Sequence, residues 1–234
     1  MIAHQDIDGE ISAVVIVPVY NEAKVIPKAL TALSWLPKNQ LIFVDGGSTD
    51  GSPLLITERG YPCVQSEAGR ALQMNYGAKI TSSDILVFLH IDTSFTSSNF
   101  LNIKKAYKQG YLSGRFDIRL SNDTLTYRII SFFINMRSRL TKISTGDQII
   151  FVRRDTFDSI GGYKDIPLME DVELSSQLRR LGPVALLNDT VETSSRRWEE
   201  NGVFRTVILM WKLRLLFWLG TDVNKLAKMY RGKH

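Results

Sequence analysis

The chain has 234 residues, of which 44% are hydrophobic and 23% charged, with 16 Gly and 7 Pro. This composition excludes collagen-like, low-complexity and intrinsically disordered classes, and it fits a single large α/β domain. The lone Cys63 excludes an internal disulfide. Because the opening MIAHQDIDGE has neither the basic nor the apolar region of a signal peptide, we expect a cytoplasmic protein.

The net charge of +5 arises entirely in the second half of the chain. Residues 1–120 carry 11 basic and 11 acidic side chains, whereas residues 121–234 carry 18 and 13. From Arg196 onward, nine basic residues face three acidic ones. This excess is typical of a solvated helix surface or of a surface for phosphates, acidic lipid head groups or nucleic acid.

Short apolar runs rich in β-branched residues predict four buried parallel strands, at 11–19, 40–45, 61–65 and 84–90. Helical spacing fills the intervals at 25–35, 53–59 and 69–80, and in the last of these Leu72, Tyr76 and Ile80 recur every four residues. The alternation predicts a βαβ sheet with right-handed crossovers. Ligands of such sheets bind at the carboxyl ends of the strands.

Beyond Phe100 the alternation loosens, but no Ser-, Gly- or Pro-rich linker separates the halves. The patterns predict a helix at 98–109, a strand at 111–120, a helix at 123–142, a strand at 147–153, a helix at 169–181 that stops at Gly182-Pro183, and one or two strands before Arg196.

The segment 203–219, VFRTVILMWKLRLLFWL, is long enough to span a membrane, yet it contains Arg205, Lys212 and Arg214. Three central cations would cost several kcal/mol in a bilayer. On a helix, Arg205 and Lys212 share one side and Arg214 lies opposite. We therefore expect a packed or oligomer-forming helix, or else one that contacts a membrane surface.

Polar residues follow three of the predicted strands, in PVYNE (18–22), DGGSTDG (45–51) and HID (90–92), and Arg70 opens the helix after the remaining strand. Any one of these acidic residues could be a helix cap or a turn former. Their joint occurrence at one edge of a sheet favours a ligand site.

These segments resemble the inverting family 2 glycosyltransferases, which have the GT-A fold. The resemblance is carried in order by VIVPVYNEA (15–23), FVDGGSTDGS (43–52), FLHID (88–92), TGDQIIFVRRDTFDSIGGY (145–163) and MEDVELSSQLRRLG (169–182). The chain is most similar to a small bacterial subgroup labelled as transferases associated with radical-SAM and selenodomain proteins, through its GRALQMN (69–75), TGDQ (145–148) and RRW (196–198) segments.

The resemblance implies an α/β architecture: one Rossmann-like nucleotide-binding domain with a mostly parallel central sheet flanked by helices, and a helical C-terminal extension. The single domain of residues 1–234 would divide into a nucleotide-binding half at 11–92, an acceptor and catalytic half at 93–200, and basic, apolar helices at 201–234.

For the donor, the resemblance implies a nucleotide site that contains Pro18, Tyr20, Glu22 and Asp45, with Arg70 serving the nucleotide or its phosphates. The family's Asp-x-Asp metal motif stands here as His90-Ile91-Asp92, so Asp92 would hold the Mg²⁺ or Mn²⁺ that bridges the diphosphate. One carboxylate can suffice, because Mg²⁺ takes most of its ligands from phosphate and water. His90 is either a further ligand or a structural residue.

For the reaction, the resemblance makes Asp171 the general base that deprotonates the acceptor hydroxyl. An acidic first helical turn that favours the helix dipole would need the same residue types. Arg197 and Trp198, with Ser194 in place of the family's Gln, would face the departing diphosphate, and the missing Gln favours transfer of one sugar over processive synthesis. Asp147, Gln148 and Glu170 would face the acceptor or the donor sugar.

The implied function is inverting, metal-assisted transfer of one sugar, with uridine diphosphate as the expected carrier, to an acceptor, free or lipid-linked, that the sequence does not identify. Two alternatives stay open: a nucleotidyltransferase, whose Gly-rich loop after the first strand is replaced here by PVYNE, and a non-catalytic nucleotide-sugar or lipid-binding module. No nucleic-acid recognition motif is present. We expect the protein in the cytoplasm or at the inner face of the membrane.

Overall fold

A twisted sheet of seven strands lies at the centre of residues 11–231, the part of the chain that the computed structural model describes. The strands are β1 (Ala13–Val19), β2 (Leu41–Asp45), β3 (Cys63–Gln65), β4 (Ile85–Phe88), β5 (Ser113–Leu120), β6 (Ile150–Arg153) and β7 (Val184–Thr193). Their order across the sheet is β3-β2-β1-β4-β6-β5-β7. Within this described region, the sheet is parallel except at β6, which runs antiparallel to both of its neighbours.

Helices cover both faces of the sheet. They are α1 (Ile26–Ala32), α2 (Ser52–Glu58), α3 (Arg70–Lys79), α4 (Ser97–Lys108), α5 (Leu125–Thr141), α6 (Arg154–Ser159), α7 (Glu170–Leu181), α8 (Arg196–Asn201), α9 (Val203–Trp218) and α10 (Val223–Arg231). Because side chains alternate along a strand, Val15 and Val17 pack in one core beneath α1, α2 and α4, while Val14 and Ile16 pack in the other beneath α3, α6 and α7. The predicted α/β architecture with a mostly parallel sheet is confirmed.

The reversed strand β6 brings two distant segments to the same edge of the sheet. Phe88 at the end of β4 pairs with Ile150 at the start of β6. The chain therefore enters β6 at the edge where β1, β2 and β4 end, and the turn at Gly146–Gln148 lies beside the His90-Asp92 segment. A parallel strand at this position would place that turn at the opposite edge.

Several sequence-based details are wrong. The predicted strand at 147–153 begins only at Ile150, since residues 146–148 form a 3₁₀ turn. The helix at 69–80 is present, but its apolar stripe is not the buried face: Tyr76 and Ile80 are exposed, whereas Met74 and Gly77 pack on the sheet. Helix α6 was not predicted. One strand, β7, precedes Arg196, in agreement with the one or two expected there.

Candidate active site

The loops after β1 and β2 are joined by reciprocal hydrogen bonds. The Asn21 amide donates to Ser48 Oγ at 2.8 Å, the Thr49 amide donates to Asn21 Oδ1 at 2.8 Å, and the Ala23 amide donates to Asp50 Oδ2 at 2.9 Å. Asp50 is therefore an organiser of the loops, as expected for an acidic turn former. These hydrogen bonds join the loops that follow β1 and β2 into one unit, which we call the rim.

Asp45 ends β2 and is only 4% exposed. Its Oδ2 accepts hydrogen bonds from the amides of Gly47 (2.8 Å) and Ser48 (3.0 Å), and Gly47 has a φ of +90°, which favours glycine. Within residues 11–231, the Oδ1 atom of Asp45 is buried and has no partner. A buried acceptor rarely lacks a donor, so this oxygen is suited to receive one from a ligand, such as an N–H of a nucleobase.

Helix α3 fixes the same rim from below. Gln73, 3% exposed, donates through Nε2 to the carbonyl oxygens of Val19 (2.8 Å) and Val44 (2.7 Å), which ties the ends of β1 and β2 together. Asn75 exchanges hydrogen bonds of 2.8 and 2.9 Å with the backbone of Tyr163. The GRALQMN segment thus contributes positioning residues in addition to Arg70.

Glu22 and Asp92 meet two arginines at this edge. Burial raises the pKa of Glu22, and the charges of Arg196 and then Arg70 oppose that rise. Burial also raises the pKa of Asp92, again opposed by Arg196 and Arg70. Residues from the β1, β3 and β4 loops and from α8 therefore converge, and Arg196 was not among the predicted site residues.

Asp92 fits a divalent cation. The carboxylate is partly buried, and within the described chain no other residue donates a hydrogen bond to it. No group of three His, Cys, Asp or Glu side chains in residues 11–231 could hold a metal by itself. The donor set therefore suits an ion such as Mg²⁺ or Mn²⁺ that draws its other oxygen ligands from phosphate and water.

His90 packs against the turn that precedes β6. A Cβ atom on Gly146 would overlap the Nε2 and Cε1 atoms of the His90 ring, so the backbone of Gly146 lies directly on the imidazole. Burial, with a smaller contribution from Arg70, lowers the pKa of His90 to about 3, and the ring is neutral at physiological pH. Through these contacts the neutral ring supports the backbone of the turn before β6.

Asp171 is held by backbone donors at the start of α7. Its Oδ2 accepts from the Gly146 amide at 2.8 Å and its Oδ1 from the Val172 amide at 2.7 Å, and each oxygen retains a second acceptor site. Burial raises the pKa of Asp171. Burial, reinforced by Asp171, raises the pKa of Glu170 to about 7. The preceding Met169 has a φ of +68°, a conformation that is uncommon for a residue with a side chain.

Gln148 was expected to face the acceptor or the donor sugar, but its side chain is buried in the protein. The side chain is fully buried, and its amide group bonds to the Thr145 amide (3.2 Å) and the Phe116 carbonyl (3.3 Å). The expectation that it faces a sugar is wrong, because the turn needs this side chain for its own cap. Its neighbour Asp147 differs: within residues 11–231, the Oδ1 atom of Asp147 is buried without a partner.

Arg137 on α5 and Arg214 on α9 also face the site, and neither was predicted as a site residue. Burial and the charge of Arg214 lower the pKa of Arg137 to about 10, against the opposing charges of Asp147 and Asp171. Burial lowers the pKa of Arg214, and the charges of Asp171 and Asp147 oppose that decrease. The sequence pattern could have indicated Arg214. It lies on the side of α9 opposite Arg205 and Lys212, and that side faces inward.

The remaining predicted residues lie around the same edge. The Arg70 side chain is exposed, although protein surrounds it closely enough for desolvation to lower its pKa. The charges of Glu170 and Tyr230 act in the opposite direction, and the pKa of Arg70 is raised overall. Arg197 donates a hydrogen bond to the Tyr230 hydroxyl and stacks 3.6 Å from its ring. Pro18 and Trp198 are partly buried and Tyr20 is 56% exposed.

Similar folds occur among solved glycosyltransferase structures. A mannosyltransferase from Pyrobaculum calidifontis, in complex with GDP-Man and Mn²⁺, is 20% identical with a TM-score of 0.57, over 77% of this chain and 56% of its own. Residues 1–349 of TarS from S. aureus are 18% identical with a TM-score of 0.62, over 79% of this chain and 60% of their own.

The third is glucosyl-3-phosphoglycerate synthase from Mycobacterium tuberculosis, in complex with Mn²⁺, UDP and glucosyl-3-phosphoglycerate, at 18% identity and a TM-score of 0.62 over 90% of this chain and 81% of its own. The chain spans little more than half of the first two structures. A search of curated protein sequences gives no significant match.

The family assignment comes from the sequence profile of glycosyl transferase family 2, which matches residues 14–161. The matched region includes the rim formed by β1 and β2, Arg70, Asp92 and the turn at Gly146–Gln148. It covers more than half of the chain, and the structure neighbours have the same GT-A fold. The chain belongs to glycosyl transferase family 2.

Proposed function

We propose that this protein transfers one sugar from a nucleotide-diphosphate sugar to an acceptor hydroxyl with inversion at the anomeric carbon. The observation that carries the proposal is that Asp92 follows β4 and Asp171 is bonded to the turn before β6, at the same sheet edge, and that both carboxylates interact electrostatically with Arg70. One carboxylate can serve the leaving group while the other serves the nucleophile. Structure neighbours with the same fold that bind GDP-Man and Mn²⁺, or UDP and Mn²⁺, support this assignment.

On the donor side, Asp45, Glu22, Pro18 and Tyr20 bind the nucleoside. The free Oδ1 of Asp45 suits the single N–H of uracil, so we propose UDP as the carrier. When bound at Asp92, Mg²⁺ or Mn²⁺ supplies charge that stabilises the leaving diphosphate.

A second set of residues contacts the diphosphate of the donor. Arg70 and Arg197 add donors to the phosphate oxygens, and Trp198 borders the same position.

On the acceptor side, Asp171 accepts the proton of the attacking hydroxyl while the diphosphate leaves from the opposite face. The amides of Gly146 and Val172 fix the orientation of its carboxylate. Asp147 and Glu170 border the sugar. Because Ser194 replaces the Gln of processive relatives, we propose a single transfer.

Donor binding gives the direct test. Calorimetric titration of UDP should show affinity that rises at least about tenfold with Mn²⁺, and Asp92→Ala should lose that increase while keeping the metal-free affinity. Asp158→Ala, at an exposed carboxylate of α6, is the matched control. An equal effect of Mn²⁺ on Asp92→Ala and wild type would refute the metal assignment.

Turnover separates the alternatives. Release of UDP from a UDP-sugar, with the product anomer read by NMR, should show inversion. Tight nucleotide-sugar binding with no turnover in the presence of Mn²⁺ would make the protein a binding module.

We also propose that the protein docks on an anionic membrane surface through α9, at the cytoplasmic face. Phe204, Ile208, Trp211, Leu215 and Trp218 form one stripe, and each is at least 56% exposed. Arg205 and Lys212 flank this stripe, and α9 contains no acidic residue. None of the helices in residues 11–231 is long and apolar enough to cross a membrane. An apolar stripe flanked by cations is typical of helices that lie in the head-group region.

A further inference from the structure

A cavity of about 410 Å³ opens between α8, α9 and α10, within the range of roughly 300–1,000 Å³ typical of small-molecule sites. Four arginines line it: Arg196, Arg197, Arg205 and Arg231. Glu200 is the one carboxylate in the lining. The cavity therefore has a strong excess of positive charge.

In residues 11–231, these four arginines form no close ion pair. Among residues 11–231, none of the four has an Asp or Glu oxygen within 4.0 Å. Like charges around one cavity repel one another, and an anion in the cavity relieves that repulsion. Tyr230 stacks on Arg197 and accepts its hydrogen bond, which holds this guanidinium in a fixed orientation at the cavity wall.

The cavity adjoins the donor site without coinciding with it. Arg196 and Arg197 belong to both, whereas Glu22, Asp45 and Asp92 do not line the cavity. Arg205 on α9 and Arg231 on α10 also line the cavity, and neither is among the residues proposed for the donor. An anion there is held by groups that the donor nucleotide does not require.

We propose that this cavity binds a phosphate group of the acceptor, with Arg205 and Arg231 as its main ligands. The inference rests on the proposed sugar transfer, because it names the chemical class of the acceptor. Guanidinium groups suit phosphate oxygens, which they can bind through two parallel hydrogen bonds. The phosphate belongs either to a soluble phosphorylated acceptor or to a lipid head group, and both present the same chemistry to the arginines.

The test measures phosphate binding to the full chain with the donor site filled by UDP and Mg²⁺. Inorganic phosphate and glycerol 3-phosphate are the soluble probes, and phosphatidic acid in phosphatidylcholine vesicles is the lipid probe. The double variant Arg205→Gln/Arg231→Gln removes two charges from the cavity. Its matched control, Lys225→Gln/Lys228→Gln, removes two exposed charges from α10 outside the cavity.

We expect the arginine variant to weaken binding of at least one probe by about tenfold or more, since charge-assisted bonds are lost. The lysine variant should keep most of the affinity, and both should bind UDP like wild type. A response confined to the soluble probes identifies a soluble acceptor, and one confined to vesicles a lipid phosphate. Displacement of phosphate by UDP, equal losses in both variants, or no binding of any probe would overturn the proposal.

The two proposals fail separately. If UDP does not bind, the proposed transfer is wrong, and phosphate binding measured without UDP still reports on the cavity. If UDP binds normally and phosphate does not, only the acceptor assignment is lost.

Discussion

Asp171 has both oxygens anchored by backbone amides, a geometry that orients a base without using up its lone pairs. Asp171→Asn preserves size, so donor affinity should stay near that of wild type. Transfer should fall by about 10² to 10⁴, the usual contribution of a positioned base. Single-turnover transfer and UDP binding, measured on the same preparation, check this. Lost donor binding with unchanged transfer per bound donor would place Asp171 on the donor side instead.

Glu170 provides a pH prediction. Its pKa rises from 4.5 to about 7 in the folded protein, so the folded state holds the proton to higher pH than the unfolded state does. The stability that this gives is present below pH 4.5 and is lost as the pH rises through about 7. Relative to Glu170→Gln, wild type should lose up to about 1.4 kcal/mol of unfolding free energy per pH unit in this window.

Urea titrations of wild type and Glu170→Gln at pH 5 and pH 7, in the presence of a chelator, measure that difference. A stability difference that does not change with pH would show that Glu170 titrates at its ordinary value in the folded protein.

How far the sequence predicts the site depends on where each residue comes from. Glu22, Asp45 and Asp92 follow strands, and strand ends of a parallel sheet meet by rule, so their convergence is predictable. Arg137, Arg214 and Tyr230 come from helices whose inward faces depend on tertiary docking. Gln148 was misplaced because the sequence does not tell a turn-capping side chain from one that faces a ligand.

At the scale of elements, the contact between Gly146 and His90 joins the turn before β6 to the segment after β4. Gly146→Ala adds a methyl group that overlaps the His90 ring, which should destabilise the fold by about 1–3 kcal/mol. His90→Ala in the same chain makes room for that methyl group. Urea unfolding of the two single variants and the double variant should therefore give a combined loss smaller than the sum. Strict additivity would mean that the two residues do not touch in solution.

The wrongly predicted buried face of α3 has a physical origin. In α3 the stripe of Leu72, Tyr76 and Ile80 has helical spacing, but the smaller face of Met74 and Gly77 packs on the sheet. A Cβ atom at position 77 would lie 2.5 Å from Ile16 Cγ2, so the close approach of helix and sheet depends on glycine there. The small size of the side chains at the contact determines which face of α3 is buried, and the hydrophobic pattern alone does not predict that face.

At the scale of the whole molecule, the exposed stripe on α9 should decide where the protein resides. The double variant Trp211→Ser/Trp218→Ser should weaken binding to anionic vesicles by about tenfold or more, because two large side chains no longer enter the lipid. Leu101→Ser, at an apolar residue of α4 that is 58% exposed, should leave vesicle binding unchanged. Co-sedimentation with anionic and neutral vesicles measures both. A dimer in ultracentrifugation that these Trp variants dissolve, without vesicle binding, would instead make α9 a contact between copies.

Cys63 gives the protein a built-in chemical reporter. The thiol begins β3, the short strand at the end of the sheet, and burial together with the charge of Asp45 raises its pKa to about 11. At neutral pH the folded thiol is therefore almost wholly protonated and a poor nucleophile. Alkylation of this half-buried thiol should therefore be slow, and a local opening that frees β3 should speed it by returning the thiol to its ordinary acidity. The labelling rate of this single thiol therefore reports local opening at the β3 edge of the sheet, without any introduced probe.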